Sequence, residues 1–347
     1  VAPKKSCLQS TIRSIKSEAL KAVCKMLSID WFEKGYLSLD MLRIDSRVVA
    51  SNIAPPSDSQ MLNDGVRVLS RYLAKNANMT GYKIRFTNQR KKSKSLAFQI
   101  FSAKSAREEL LYPQLLSVVH IVLKQAERAL QKVSVEGAVT SYTQWWVTDV
   151  EHYRALTLKV VDQTVRRVVN HEPVPSPEKL ISLFEEHSDF IVKGFRDVQY
   201  GHKINLSTEK HGLITCLLIE EGNPADSERF LPVLDAHQEC YKMLPHSVTC
   251  DVGYASKANV TNARALDIPC VVFHKRVGIS FLAMGVKKKT FQQLRKFRAG
   301  IEGNISELKS TFGAGKATWK GHEGFKAYVW SAVLSYNLVR MARMQSG

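Results

Sequence analysis

Asp45, Asp251 and Glu302 are the residues of this chain whose types and settings could do chemistry together. Asp45 sits in Leu42-Arg-Ile-Asp45-Ser-Arg-Val-Val49, and Asp251 in Val248-Thr-Cys-Asp251-Val-Gly-Tyr254. Each follows a short apolar run and precedes polar or turn residues, the pattern of an acid at the end of a buried strand. Glu302 lies in Arg298-Ala-Gly-Ile-Glu302-Gly-Asn-Ile-Ser-Glu-Leu-Lys309, which reads as helix. Carboxylates are hard oxygen ligands suited to Mg²⁺ or Mn²⁺. Two such ions can activate an attacking hydroxyl and stabilise the leaving oxygen of an in-line phosphoryl displacement. The three acids meet that requirement if the two strands are neighbours.

The helical spacing extends the set. Arg298 precedes Glu302 by four residues and shares its face, and Lys309, two turns beyond, lies on that face as well. Cations at those positions could hold phosphates on either side of the acid. Taken alone, the same spacing also describes a solvated helix face with ion pairs between successive turns. Glu307 is a rival third acid, but it falls off the Arg298–Lys309 face.

The elements that must position these residues follow from the pattern of apolar side chains. Residues 6–30 read as a helix, and residues 39–50 as a strand ending near Asp45. Asn52-Ile-Ala-Pro-Pro-Ser-Asp58 breaks the strand, because consecutive prolines cannot continue a ladder. Ser57 or Asp58 could cap a following helix with Met61, Leu62, Val66, Leu69 and Leu73 on its inner face. A basic stretch through Arg90, Lys91, Lys92 and Lys94 leads to a long helical region, about 103–169. His171-Glu-Pro-Val-Pro-Ser-Pro177 reads as a linker.

After that linker, short strands are expected at 189–193, 203–206 and 213–219, the last two joined by a polar turn. A helix opened by Asn223-Pro-Ala-Asp226 runs to about Leu244, with the proline in a suitable early position. Val248–Cys250 is a strand delivering Asp251. A helix over 259–266, a strand over 270–273 and helices over 290–310 and 322–344 complete the order. Strands mixed with helices on one chain imply an α/β domain split by a helical segment.

Composition narrows the partners. The chain has 347 residues, 44% of them hydrophobic, and a net charge of +18. The size allows one large or two ordinary domains. The positive excess points to a polyanion. No apolar run approaches the length of a transmembrane helix, so no membrane partner is expected. The start, Val1-Ala-Pro-Lys-Lys-Ser, lacks the apolar core of a signal peptide and lacks Met, so the chain reads as a fragment or as using another start. Six cysteines (7, 24, 216, 240, 250, 270) form no CxxC pair, which argues against a zinc site or disulfide scaffold and fits a reducing cytoplasm.

Four other features are weighed by their chemistry. Arg90-Lys-Lys-Ser-Lys94, flanked by Phe86 and Phe98, could track a DNA backbone or be a solvated loop. Trp145-Trp146 could stack on an exposed base, although core packing fits better. His202 is on its chemistry a strand-end histidine with a local hydrogen bond. Cys250 is a small buried strand residue, since no nucleophile arrangement surrounds it.

The Arg-x3-Glu-x6-Lys pattern of Arg298, Glu302 and Lys309 resembles part of the signature of bacterial insertion-sequence transposases of the DDE class. Further stretches are similar to a subgroup labelled ISNCY. They include Arg43-Ile-Asp45-Ser, Asn52-Ile, Pro56-Ser-Asp58-Ser, Ile191-Val-Lys-Gly194, Gly201-His-Lys203 and Glu221-Gly-Asn-Pro-Ala-Asp226. They continue through Asp251-Val-Gly-Tyr254, Phe297-Arg-Ala-Gly-Ile-Glu-Gly303, Trp319-Lys-Gly321, Tyr328-Val-Trp330 and Asn337-Leu338. The resemblance runs from about residue 6 to 344 and is weakest over 75–180.

It implies an RNase H-like mixed sheet flanked by helices and interrupted by a mainly helical insertion. The corresponding domains are a helical remnant at 1–38, a catalytic domain at 39–56 and 181–347, and the insertion with its basic stretch at 57–180. Asp45, Asp251 and Glu302 become the catalytic triad and ligands of Mg²⁺ or Mn²⁺. Arg298, Lys309, His202 and Lys203 become phosphate contacts near the site, alongside Arg90, Lys91, Lys92 and Lys94 on DNA. The implied activity is hydrolysis at element ends followed by strand transfer into target DNA. The implied setting is a cytoplasmic, nucleoid-associated homodimer or larger synaptic assembly on double-stranded DNA.

The chain departs from the pattern at three places: Arg295 replaces the signature's tyrosine, Arg47 replaces a small hydroxyl residue, and Ala54-Pro55 replaces a histidine. An N-terminal helix-turn-helix region, expected in most members, is largely missing. A truncated or inactive relative that binds DNA without cutting it is therefore the alternative, and a nuclease or other metal-dependent hydrolase on the same scaffold is a third reading.

Overall fold

The strand that carries Asp45 is β1, Met41–Ala50, and the rest of the fold is arranged around it. The computed structural model describes residues 10–12, 14–103, 105–136, 140–193 and 197–346. The start of the expected 6–30 helix, Cys7 and Gly194 lie outside the described residues. The chain divides into two compact units, one formed by residues 1–52 and 187–347 and the other by 53–186.

In the first unit, α1 (Ser17–Glu33) precedes β1, and β2 (Asp189–Lys193), β3 (Asp197–Thr208) and β4 (Ile214–Ile219) follow the return of the chain. Then come α6 (Asp226–Tyr241), β5 (Ser247–Cys250), α7 (Lys257–Ala265), β6 (Cys270–Phe273), α8 (Lys288–Ser310) and α9 (Gly321–Ser346). The remaining labels, α2–α5, belong to the second unit. The strands form one six-stranded mixed sheet. β3 is antiparallel to β1 and meets β2 and β4 at its two ends, while β5 and β6 continue in parallel from the other edge of β1. This order is compatible with an RNase H-like domain.

Short buried runs explain the parallel strands: Ser247–Cys250 is buried throughout and Val271–Phe273 is buried on both faces. Gly201 on β3 lies against β1, where a Cβ would sit 2.0 Å from the Val49 carbonyl oxygen, so only glycine lets the strands pair there. One face of the sheet buries Ile44, Val248 and Cys250 with Phe230, Val233 and Val260 of α6 and α7. The other buries Val49 and Leu206 with Ile301 of α8 and Phe325, Val329 and Tyr336 of α9.

The second unit is helical: α2 (Asp58–Thr80), α3 (Arg90–Ser102), α4 (Ser105–Glu136) and α5 (Ser141–Thr164), the last running into a π turn at Val165–Val169. Ser57 caps α2 by accepting from the Gln60 amide, and Gly81 in the left-handed conformation ends it. Leu62, Val66 and Leu69 of α2 pack with Leu115 and Val119 of α4 and Val150 of α5. No helix among the described residues is long and apolar enough to cross a membrane.

Several boundaries differ from expectation. β1 runs five residues past Asp45, so this acid lies mid-strand and not at a strand end. β1 is flanked on both sides, and pairing with β3 as far as Ala50 carries it through the polar residues Ser46 and Arg47. The basic run is the start of α3 and not a loop. The long helical region is two helices, and Pro224 lies just before the cap of α6 instead of in its first turn. Trp146 is fully buried and donates from Nε1 to the Tyr72 carbonyl, whereas Trp145 is 55% exposed.

Candidate active site

Strand register brings the two aspartates together. β1 and β5 are parallel, with Ile44 opposite Cys250. Asp45 and Asp251 are the next residues along, and because side chains alternate, both turn away from the Ile44–Cys250 core. Asp251 immediately follows β5 and caps a single 3-10 turn, Val252–Tyr254. Glu302 comes from α8, which crosses the face of the sheet that Asp45 occupies.

Arg298, one turn before Glu302 and only 5% exposed, joins the three acids. Its Nη2 lies 2.9 Å from Asp45 Oδ2 and 3.4 Å from Asp251 Oδ1, and its Nη1 lies 2.7 Å from Glu302 Oε1. A planar guanidinium fork suits such a role, since its donors point in fixed directions. Exposure rises from Asp45 (14%) through Asp251 (37%) to Glu302 (66%), so the cluster opens toward solvent on the Glu302 side. Three carboxylates against one guanidinium leave a net negative site of hard oxygen donors, their oxygens gathered around Arg298 and not into a ready-made cation cluster.

Neighbouring residues hold this frame. Arg43, on the same face of β1, donates to Thr208 Oγ1, to the Phe297 carbonyl and to the Glu209 carbonyl, and stacks 4.6 Å over the Phe297 ring. It thereby ties β1 to the helix carrying Arg298 and Glu302. On the β5 side, Asp226 pairs with Lys203 at 2.5 Å and presses against Gly253, where a Cβ would lie 2.6 Å from Asp226 Oδ2. Asp226 so backs the turn that presents Asp251. Tyr254, from the same turn, donates to Asn205, whose amide donates to Glu220 at 2.8 Å. Burial and the nearby Asp226 hold the Tyr254 hydroxyl protonated well above its usual range.

The structure brings Asp45, Asp251, Glu302 and Arg298 together. Lys309 is exposed, with its stem against Gly315. Glu307, the rival acid, is engaged by Arg340 and Arg343 of α9. His202 is 1% and Lys203 8% exposed, and Lys203 is bonded to Asp226 and to the Pro224 carbonyl. Arg298 sets a guanidinium against Asp45, and the Nε of Arg47 is buried without a hydrogen-bond partner. Cys250 is fully buried, and desolvation raises its thiol far above its ordinary range, in keeping with a packing role.

In the second unit, Arg90, Lys91 and Lys94 of α3 line a groove with Asn63, Arg67 and Arg71 of α2. Arg67 and Arg71 escaped sequence reasoning, although their spacing of four on one helix was a signal. Cations in the first turn of α3 stand against the helix dipole, an arrangement an anion would relieve.

A family model described as "Transposase DDE domain" matches residues 160–338, just over half of the chain. The matched span holds Asp251, Arg298, Glu302 and Lys309, and Asp45 precedes it. No curated protein and no solved structure matches the chain.

Proposed function

Because this chain belongs to the transposase DDE-domain family, we propose that it is a DNA transposase in which Asp45, Asp251 and Glu302 are the catalytic acids. The observation that carries this reading is the Arg298 fork, which touches an acid from each of three separate elements. The acids would hold Mg²⁺ or Mn²⁺, which when bound lowers the pKa of an attacking hydroxyl and offsets charge on the leaving oxygen.

Water attacks the phosphodiester at an element end, and the phosphorus–oxygen bond to the 3′ oxygen breaks, freeing a 3′ hydroxyl. That hydroxyl then attacks a target phosphodiester, forming a new phosphorus–oxygen bond and displacing a target 3′ hydroxyl. No covalent protein–DNA bond is needed. Arg298 keeps the acids converged, Arg43 fixes α8 against β1, and Asp226 backs the Asp251 turn.

In this reading the first unit is the RNase H-like catalytic domain. Residues 53–186 are a helical insertion whose groove of Arg67, Arg71, Arg90, Lys91 and Lys94 meets the DNA backbone. Joining two ends calls for a dimer or larger synapse.

The test is Mn²⁺-dependent cleavage and strand transfer on DNA carrying the flanking element ends, for this chain beside Glu302→Gln. Nicking and joining that disappear in the variant support the assignment. Binding without cleavage in both, persisting after any upstream helix-turn-helix is restored, would favour a DNA-binding relative. Cleavage without joining would favour a nuclease.

A further inference from the structure

Away from the acids, three imidazoles from distant parts of the sequence meet in the first unit. His187 lies just before β2, His202 in the middle of β3, and His322 in the first turn of α9. Their rings stack with centroids 5.0–5.2 Å apart and planes within 19° of parallel. One nitrogen from each lies within 4.8 Å of the others. His202 pairs with Val49 on β1, so its side chain is on the Asp45 face, four residues farther along the strand. That is about 13 Å away at the usual strand rise, too far to share an ion with the acids.

We propose that His187, His202 and His322 form a binding site for one Zn²⁺-class transition-metal ion, distinct from the carboxylate cluster.

Imidazole nitrogen suits zinc and its neighbours and is a poor match for Mg²⁺. His202 Nδ1 lies 2.9 Å from Asp189 Oδ2 and 3.1 Å from the Glu220 carbonyl. Asp189 is itself fixed by the Gly222 amide at 2.8 Å. A carboxylate on one ring nitrogen sets the tautomer and presents the other as a ligand, the arrangement found behind metal-bound histidines. His202 Nε2 then accepts a hydrogen bond from His187 Nδ1 at 2.8 Å, a shared proton that a bound ion would displace. His322 Nε2 is buried with no hydrogen-bond partner, a polar atom aimed inward that an ion would satisfy.

Two nitrogens on one tetrahedral zinc stand roughly 3.4 Å apart, given metal–nitrogen bonds of about 2.0–2.1 Å. The observed nitrogens, 2.8 Å apart for His187 and His202 and all within 4.8 Å of one another, bracket this distance. Phe325, with its centroid 4.7 Å from that of His202, forms an apolar wall. A bound ion would clip together β3, the start of α9 and the segment by which the chain re-enters the sheet, a structural rather than a catalytic role.

The whole chain, stripped with chelator and dialysed against excess Mg²⁺, is titrated with Zn²⁺ by calorimetry and with Co²⁺ by absorption. The expected result is one equivalent of Zn²⁺, a raised melting temperature and the intense visible bands of a nitrogen-ligated, low-coordinate Co²⁺. Binding should weaken on the order of tenfold or more in His322→Gln and in His187→Gln, each checked for native circular dichroism, and on the order of tenfold in Asp189→Asn. It should be unchanged in Glu302→Gln. Absence of Zn²⁺ uptake and of those bands in the unaltered chain overturns the site, as does uptake that survives both histidine changes or is lost in Glu302→Gln. A chain inactive on DNA that still takes up Zn²⁺ leaves this site standing, so the two assignments fail separately.

Discussion

Gly300 and Arg43 are packed so closely that a Cβ on the glycine would lie 2.0 Å from the arginine's Nη1. Mid-helix, Gly→Ala normally gains about 1 kcal/mol. Here Arg43 is buried and its guanidinium is bonded to Thr208, Phe297 and Glu209, so it cannot swing aside without losing those bonds. Overpacking costs roughly 1–3 kcal/mol, and the clash should win. Gly300→Ala is expected to lower the melting temperature and, by shifting α8 on β1, to reduce cleavage. A melting temperature above that of the parent chain would show that Arg43 yields freely.

Arg298 offsets three acids that would otherwise repel one another. Removing one partner of a buried pair costs about 3–5 kcal/mol. The solvated positions of Asp251 and Glu302 place Arg298→Met near the bottom of that range, roughly 3 kcal/mol. Without the guanidinium, Mn²⁺ becomes the main compensating charge, so it should stabilise the variant more than the parent. Urea unfolding with and without Mn²⁺ measures both effects; equal Mn²⁺ gains in the two proteins would contradict the prediction.

The groove of the helical unit predicts a salt effect. Each phosphate neutralised contributes a slope of about 0.9 in log K against log salt on duplex DNA. Arg71→Ala combined with Lys94→Ala should weaken binding across all sequences and lower the slope by roughly 1–2. Fluorescence anisotropy over a salt series reads this, and an unaltered slope would remove the groove from the DNA path.

His237 gives a pH signature. It is fully buried on α6 and neither ring nitrogen has a hydrogen-bond partner; desolvation lowers its pKa from 6.5 to about 4. Above pH 6.5 the ring is neutral in both folded and unfolded chains and contributes no pH dependence. Between 6.5 and about 4 the unfolded chain binds the proton and the folded one does not, so stability falls with pH, by at most about 1.4 kcal/mol per unit. His237→Leu should flatten that part of the profile and be close to neutral in stability at pH 8. Parallel slopes for the two proteins between pH 6 and 4.5 would rule this out.

What the sequence made legible depended on how local the signal was. Asp251 could be placed because four buried residues end in a turn, and Glu302 because α8 carries a regular apolar stripe. The hairpin of β3 and β4 and the Ser57 cap were equally local. Asp45 reads as a strand end from the sequence because Ser46 and Arg47 look like turn residues, yet it lies mid-strand. Pairing across both edges of β1 overrides that propensity. The start of α3 was obscured because its cations oppose the helix dipole, while Leu96, Ala97 and Ile100 bury its inner face. The histidine cluster had no spacing to read, since only the fold brings His187, His202 and His322 together.

Ser188 Oγ donates to Ser51 Oγ across 2.6 Å, both side chains are buried, and the Ser51 amide is bonded to the Tyr200 carbonyl. The chain thus leaves the sheet at Ala50 and comes back one hydrogen bond away. To the strands, everything from 53 to 186 is a detour with its exit and entrance sewn together. Closing a loop costs an entropy that grows only with the logarithm of its length. For the strands, then, the length of the segment 53–186 costs little, since Ser51 and Ser188 already hold its two ends side by side.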